Sequence, residues 1–437
     1  MKFCELDLPA PVSQGLTAIG FTDCTPIQAA TLPISLAGKD VAGQAQTGTG
    51  KTAAFLITLF TRLLSQPKQG EGRHPRALVL APTRELVVQI EQDAQLLGAH
   101  CGLTIQAIYG GVDYMLQRNA LREGADVIIG TPGRLIDYLK QKVYSLSRIE
   151  VLVIDEADRM FDMGFIADLR FILRRLPPFE KRQNMMFSAT LNQRVMELAY
   201  EFMNLPQKVA VTPDQMTAEK VQQVLYHVGR KEKFPLLLGM LRKEGMARTM
   251  IFVNTKREAE YLHDRLIAND SPCRVISGDV EQKKRMRIME QFKDGTLPIL
   301  IATDVASRGL HIEGVSHVIN YDLPQDCEDY VHRIGRTARA GADGKAISFA
   351  DEDGAFSIEA IEEYIKDKIP MEWADDELFV NDYKRVKAQH KHPESKTHGR
   401  SHERPHARPG EATGAAGIPK KRRRPRPKKP AAPTGSS

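Results

Sequence analysis

Nowhere among the 437 residues do eighteen apolar side chains run together, and the opening MKFCELDLPAPVSQG has no charged stretch leading into an apolar one. From these absences we expect neither a membrane-spanning helix nor a secretory leader, and read the chain as a soluble, cytoplasmic protein with no membrane insertion. The five cysteines (Cys4, Cys24, Cys101, Cys273, Cys327) are odd in number, far apart and never arranged as CxxC. That excludes a disulfide framework and a cysteine-based zinc site and points to a reducing compartment. No short-period repeat is visible either.

Charge is present but unevenly spread. The chain carries 61 Lys+Arg against 55 Asp+Glu, formally +6, yet residues Val380 to Ser437 alone hold sixteen basic and four acidic side chains. That segment is +12 and leaves residues 1 to 379 at −6. It is rich in Pro, Gly, Ser and His, contains KKRRRPRPKK (Lys420 to Lys429), and has too few apolar residues for a core. Residues 380–437 therefore read as a disordered basic tail. An electrostatic tether for nucleic acid is the favoured role, because Lys and Arg release counterions from phosphate; a solubilising tail is the alternative.

Ahead of the tail, short apolar runs alternate with amphipathic stretches such as Arg84 to Ala99. The runs Ala77 to Ala81, Thr104 to Tyr109, Asp126 to Gly130, Val151 to Asp155 and Asn184 to Ser188 look like buried strands of a parallel, doubly wound sheet. The rhythm restarts after about residue 215 with Thr249 to Asn254, Cys273 to Ser277, Pro298 to Thr303, His317 to Tyr321 and Lys345 to Ala350. We expect two α/β domains, 1–210 and 220–379, joined by a linker at 211–219 within the polar stretch Leu205 to Lys220.

Residues 45 to 52 read AQTGTGKT. Small residues in such a loop let backbone N–H groups wrap phosphates, so Ala45, Gln46, Thr47, Gly48, Thr49, Gly50, Lys51 and Thr52 are candidate phosphate ligands, with Lys51 reaching the β/γ-phosphates and Thr52 a Mg²⁺. Ala45 stands where the general pattern has Gly. The run VLVI is followed by Asp155, Glu156, Ala157 and Asp158, which places acids at the carboxyl end of a central strand, where such sheets bind ligands. Asp155 is suited to hold the metal and Glu156 to orient and deprotonate an attacking water.

These residues, with others in the same order, resemble the DEAD-box helicases over about residues 3 to 370. GFTDCTPIQ (Gly20 to Gln28), with Phe3 upstream, matches the family's Q motif, which implies that Phe21 stacks on adenine and Gln28 pairs with its N6/N7 edge. PTREL (Pro82, Thr83, Arg84), Gly110 with Gly111, and TPGR (Thr131, Pro132, Gly133, Arg134) match motifs that contact an RNA backbone. So do QKKR (Gln282, Arg285) and Thr303 of ATDVASRG, in which Asp304 matches a nucleotide-side role. IFVNTK (Ile251 to Lys256) matches a further motif. Ser188 and Thr190 of SAT match the motif that couples nucleotide state to the second domain. In HRIGRTAR, His332, Arg336 and Arg339 fall on one face if the segment is helical, so His332 would join the coupling and the two guanidiniums would meet the γ-phosphate. His311 stands where the family usually has a ribose-contacting Asp.

The resemblance implies two tandem RecA-like domains with a cleft between them, ATP and Mg²⁺ as cofactors, and an ATP-dependent helicase that closes on single-stranded RNA and locally unwinds short duplexes. Features such as RGLHI and NYDLPQDCEDYVHRIGRT place it nearest a bacterial branch that acts in mRNA degradation with its second domain docked on RNase E in a degradosome. A ribosome-assembly helicase, a DNA translocase and a non-catalytic RNA clamp or scaffold are the competing readings.

Overall fold

The computed structural model describes residues 1–45, 48–66, 74–211, 221–243, 246, 248–278, 280–307, 312, 315–337 and 344–386, without the side chain of Gln282. Gln46, Thr47, His311 and Arg339, all but the first residue of the 211–219 linker, and the basic run of the tail lie outside the described residues.

Among the described residues, fourteen short strands form two seven-stranded parallel sheets. The first contains β1 (Val41–Gln44), β2 (Ala77–Leu80), β3 (Ile105–Ile108), β4 (Val127–Gly130), β5 (Val151–Ile154), β6 (Gln183–Ser188) and β7 (Gln207–Ala210), in the order β3-β4-β2-β5-β6-β1-β7. The second contains β8 (Val221–His227), β9 (Thr249–Phe252), β10 (Cys273–Ile276), β11 (Ile299–Ala302), β12 (His317–Asn320), β13 (Gly344–Ala350) and β14 (Met371–Glu372), in the order β10-β11-β9-β12-β13-β8-β14. The two orders are the same when counted from the first strand of each lobe. The pattern is that of two RecA-like α/β lobes, as expected.

Strands β2, β4, β5, β9 and β11 are buried at every residue. Helices cover both faces of a parallel sheet, so its strands need continuous Val, Ile and Leu rather than alternation. Apolar cores lie on either face: Phe55, Leu59 and Ile90 belong to one in the first lobe, Tyr138, Met160 and Ile172 to the other. Among the described residues no helix is long and apolar enough to cross a membrane.

Part of the polar stretch Leu205 to Lys220 is strand β7, which pairs with β1 and ends at Ala210, the last residue of the expected first domain. One boundary moves: the second lobe does not end at Phe379. Leu378, Val380 and Tyr383 pack on its core, the Tyr383 ring lies 5.3 Å from Phe234, and Asn269 exchanges hydrogen bonds with the Lys384 backbone. A Cβ on Gly239 would come within 1.7 Å of the Leu378 carbonyl, so glycine lets this strap cross the Lys233–Lys243 helix. The tail expected from Val380 thus loses its first residues, through Val386, to the lobe.

Candidate active site and nucleic-acid interface

At the carboxyl end of β1 the chain turns through Gly48 (φ +84°) and Gly50 (φ +90°) into the Lys51–Ser65 helix. Both glycines occupy the left-handed region that L side chains avoid. Lys51, only 5% exposed, is the first helical residue, and its Nζ donates to the Ala45 carbonyl at 2.8 Å. The Gln28 amide braces the same turn. Its Nε2 donates to the Gly50 carbonyl (3.0 Å), while its Oε1 accepts from the Thr25 N–H (2.8 Å). Phe21 is 43% exposed and stacks on Phe3 at 6.2 Å.

Two strands away, β5 is followed by Asp155, which is 2% exposed, and then by Glu156 at 8%. Glu156 adopts φ +50°, ψ +52°, an uncommon conformation for a side-chain-bearing residue, and its N–H bonds Asp155 Oδ1 at 2.9 Å. Burial raises the Asp155 carboxyl above its ordinary value, opposed chiefly by the neighbouring Lys51; burial and then Asp155 raise Glu156. Phe21, Gln28, Lys51, Thr52, Asp155 and Glu156 line one cavity of about 500 Å³. Its far wall, Leu86, Gln89, Asp93 and Leu96 from the Arg84–Leu97 helix, was not foreseen from the sequence.

The third acid of the loop works differently from the first two. Asp158 Oδ2 accepts from the Ala189 and Thr190 N–H groups (3.0 Å each) and the Thr190 hydroxyl, and Ser188 Oγ accepts from the Asp158 N–H (3.1 Å). Ser188 and Thr190 are thus fastened to the acid loop. The next residue, Arg159, is 6% exposed and reaches Asp329 of the second lobe at 2.9 Å. Burial works to lower the Arg159 pKa, but Asp329 and then Asp158 outweigh it, leaving the group above its ordinary value. Neither Asp158 nor Arg159 had a role assigned from sequence; polar residues flanking a catalytic pair were the available signal.

In the second lobe Asp304, expected on the nucleotide side, accepts two 2.6 Å bonds from Arg333. Arg285, expected on RNA, lies 2.9 Å from Glu85 of the first lobe and also donates to the Ala306 carbonyl. One expectation is corrected. The helix Cys327–Ile334 stops before Arg336, with Gly335 as its C-cap, so His332 and Arg336 do not share a helical face. Thr337 instead forms a bridge with Val315. Arg336 is 7% exposed, and the His332 Nδ1 has no hydrogen-bond partner among the described residues.

The remaining backbone-contact candidates cluster at strand ends of the first lobe. Thr83, 8% exposed, accepts from the Leu86 N–H, and a Cβ on Gly110 would lie 3.2 Å from the Arg84 guanidinium. Gly111 is exposed at φ +86°. Thr131 precedes the Pro132–Lys140 helix, in which Pro132 is buried and Gly133 open; Arg134 lies over the rings of Tyr114 (5.1 Å) and Tyr138 (5.7 Å). Thr303, 7% exposed, directly follows β11.

The DEAD/DEAH box helicase family matches residues 25–198, and the helicase conserved C-terminal domain matches residues 232–341. The chain is 50% identical over 396 residues to the ATP-dependent RNA helicase RhlB of Shewanella piezotolerans, covering 90% of this chain and 91% of the relative. It is 56% identical over 383 residues to the RhlB of Xanthomonas axonopodis pv. citri, covering 87% and 67%. The structure of S. cerevisiae Dbp5 bound to RNA and ADP BeF3 superposes with a TM-score of 0.75 at 33% identity, over 85% of this chain and 95% of that one. Two helicase domains in tandem, with half or more of the residues shared over nearly the whole chain, mean that this protein belongs to the DEAD-box ATP-dependent RNA helicases, of the RhlB type.

Proposed function

We propose that ATP is hydrolysed in the first-lobe cavity and that RNA gates the reaction by drawing the two lobes together. The observation that carries this reading is a buried lysine facing two buried carboxylates at the carboxyl ends of β1 and β5. Lys51 binds the β/γ-phosphates, with Gly48, Thr49 and Gly50 supplying backbone N–H groups. Phe21 and Gln28 hold the adenine. Glu156, its carboxyl already raised toward the range of a working base, orients and deprotonates the attacking water. Arg336 of the second lobe, together with Arg339, meets charge developing on the γ-phosphoryl oxygens, an effect worth about 10³–10⁵ in rate.

A divalent cation fits the donor set. Asp155 and Glu156 place two carboxylates beside one ammonium, which leaves the pocket short of positive charge. Thr52 and Asp155 are the residues that would hold Mg²⁺, which when bound neutralises phosphate charge. Among the described residues there is no cluster of three or more metal-ligating side chains, and Mg²⁺ on a nucleotide needs none, since the phosphates complete its shell.

Arg84, Gly111, Thr131, Arg134, Arg285 and Thr303, with Pro82, Thr83, Pro132, Gly133 and Gln282, would provide a backbone-directed path for RNA. Such contacts position a strand without reading its bases. RNA that binds the closed arrangement better shifts the population toward it, and a strand held there loses its pairing to a short duplex locally. Ser188, Thr190 and His332 relay nucleotide state between the lobes. The likeness to RhlB proteins supports work in cytoplasmic mRNA degradation, with RNase E and the degradosome as partners and the tail beyond Val386 as an RNA tether.

The test is ATPase turnover with and without single-stranded RNA. Glu156→Gln should lower the RNA-stimulated kcat by roughly 10²–10⁴-fold; an unchanged rate removes the base assignment. Fractionation with pre-ribosomal particles instead of RNase E would move the cellular role to ribosome assembly.

A further inference from the structure

Arg159 and Asp329 form an ion pair between the lobes, with side chains 7% and 11% exposed and a 2.9 Å separation. On the first-lobe side, Arg159 directly follows the three acids of the loop, and its backbone N–H donates to Asp158 Oδ1 at 2.9 Å. The other oxygen of Asp158 holds the Ala189 and Thr190 backbone. On the second-lobe side, Asp329 occupies the first turn of the Cys327–Ile334 helix. That helix leads directly into Arg336, and its Arg333 is locked to Asp304 and to the Asp322 carbonyl. One guanidinium therefore links the water-activating loop to the rigid element that delivers the second-lobe arginine.

The environment explains why this link has to be a cation. Around Arg159 stand Glu156, Asp158 and Asp162 from its own helix and that helix's N-cap, and Glu328 and Asp329 from the facing helix. Without the guanidinium, two acidic elements would face each other across a buried seam. The pair also exists only when the lobes meet. Opening returns both charges to water, so its loss would register as a shift toward the open state.

We propose that Arg159 and Asp329 form a closure latch: a positioning pair that sets the rate of hydrolysis by holding Arg336 over the first-lobe site, without touching nucleotide or RNA. The inference rests on the reading that hydrolysis needs both lobes.

The test is a double-mutant cycle in the full-length chain with Arg159→Met, Asp329→Asn and both together. The measurements are RNA-stimulated kcat, nucleotide affinity and thermal midpoint. Each single change should lower kcat about 100-fold, with nucleotide affinity and midpoint near those of the unaltered chain. The double variant should be no slower than the worse single, because one interaction can be lost only once. Arg159→Lys should recover part of the rate. Single variants within twofold of the unaltered chain, or losses that multiply in the double variant, overturn the latch. If the unaltered chain hydrolyses ATP equally with and without RNA, the two-lobe reading itself has failed and takes the latch with it. Failure of the latch alone shows as RNA stimulation that survives in every variant.

Discussion

The two lobes place a lysine at the same point of the same sheet and surround it with different anions. Lys51 follows β1 and Lys233 follows β8, the corresponding strand, and each is the first residue of its helix and almost fully buried. Beside Lys51 the chain provides a turn with two left-handed glycines and carboxylates that leave room for a ligand. Beside Lys233 the chain supplies the anions itself. Its Nζ lies 2.7 Å from Asp351 and 3.1 Å from Asp322, residues that follow β13 and β12. The Gly229 N–H, where a phosphate would be cradled, goes to Glu232 at 3.1 Å. The second-lobe cavity is the larger of the two, about 1040 Å³. Space is therefore not what distinguishes the first lobe; the difference is whether the lysine's charge is left for a ligand to answer.

The sharpest way to break this comparison is to remove each lysine in turn. Lys51→Ala should reduce ATPase by at least ~10²-fold with little change in unfolding. Lys233→Met should instead destabilise the second lobe by about 1–3 kcal/mol, because Asp351 and the partly exposed Asp322 lose their countercharge. Calorimetry of the full chain would show this as an early-melting transition. If Lys233→Met melted normally, the internal-ligand account would be wrong. A variant that also carries Asp322→Asn and Asp351→Asn should regain much of the loss, since no buried charge is then left uncompensated.

A smaller effect follows from pH. Burial works to raise the Asp351 carboxyl, but Lys233 and the Gly354 N–H hold it below its ordinary value. Its contribution is present above its unfolded pKa and lost as pH falls through its lower folded one, so the midpoints of the unaltered chain and Lys233→Met should converge below about pH 4.

The smallest effect belongs to the first-lobe cavity. Burial raises the Asp93 carboxyl to about 6. A raised carboxyl favours the fold at low pH and loses that contribution as pH rises through 6. Asp93→Asn should therefore raise the midpoint by ~1–3 °C at pH 8 and by nothing measurable at pH 4; equal midpoints at both values would show that the carboxylate reaches water.

Much of this architecture could be read before any coordinates, because buried parallel strands advertise themselves as continuous apolar runs. The strands that escaped notice were those without that signature: β1 is only VAGQ, β7 is mostly exposed, β8 carries two glutamines, and β14 has two residues. At the candidate site, the glycine turn before Lys51 and the first two acids, which line one cavity, were legible as a group because their residue types and spacing are distinctive. The partners of Asp304, Arg285 and Arg159 were not, because each lies 29 to 200 residues away and is chosen by packing. The early end of the helix before Arg336 was signalled by Gly335, but the helical periodicity around it was given more weight. Val380 and Tyr383 were hidden in the same way, as isolated apolar side chains in an otherwise polar run.

The clasp between Gln28 and Gly50 makes a single instrument of two tasks usually considered apart. On the function proposed above, a ring edge that drew the amide toward itself would slacken the hold on the glycine carbonyl at the head of the lysine helix. The identity of the nucleobase would then be reported, through one side chain, to the turn proposed to grip the terminal phosphates.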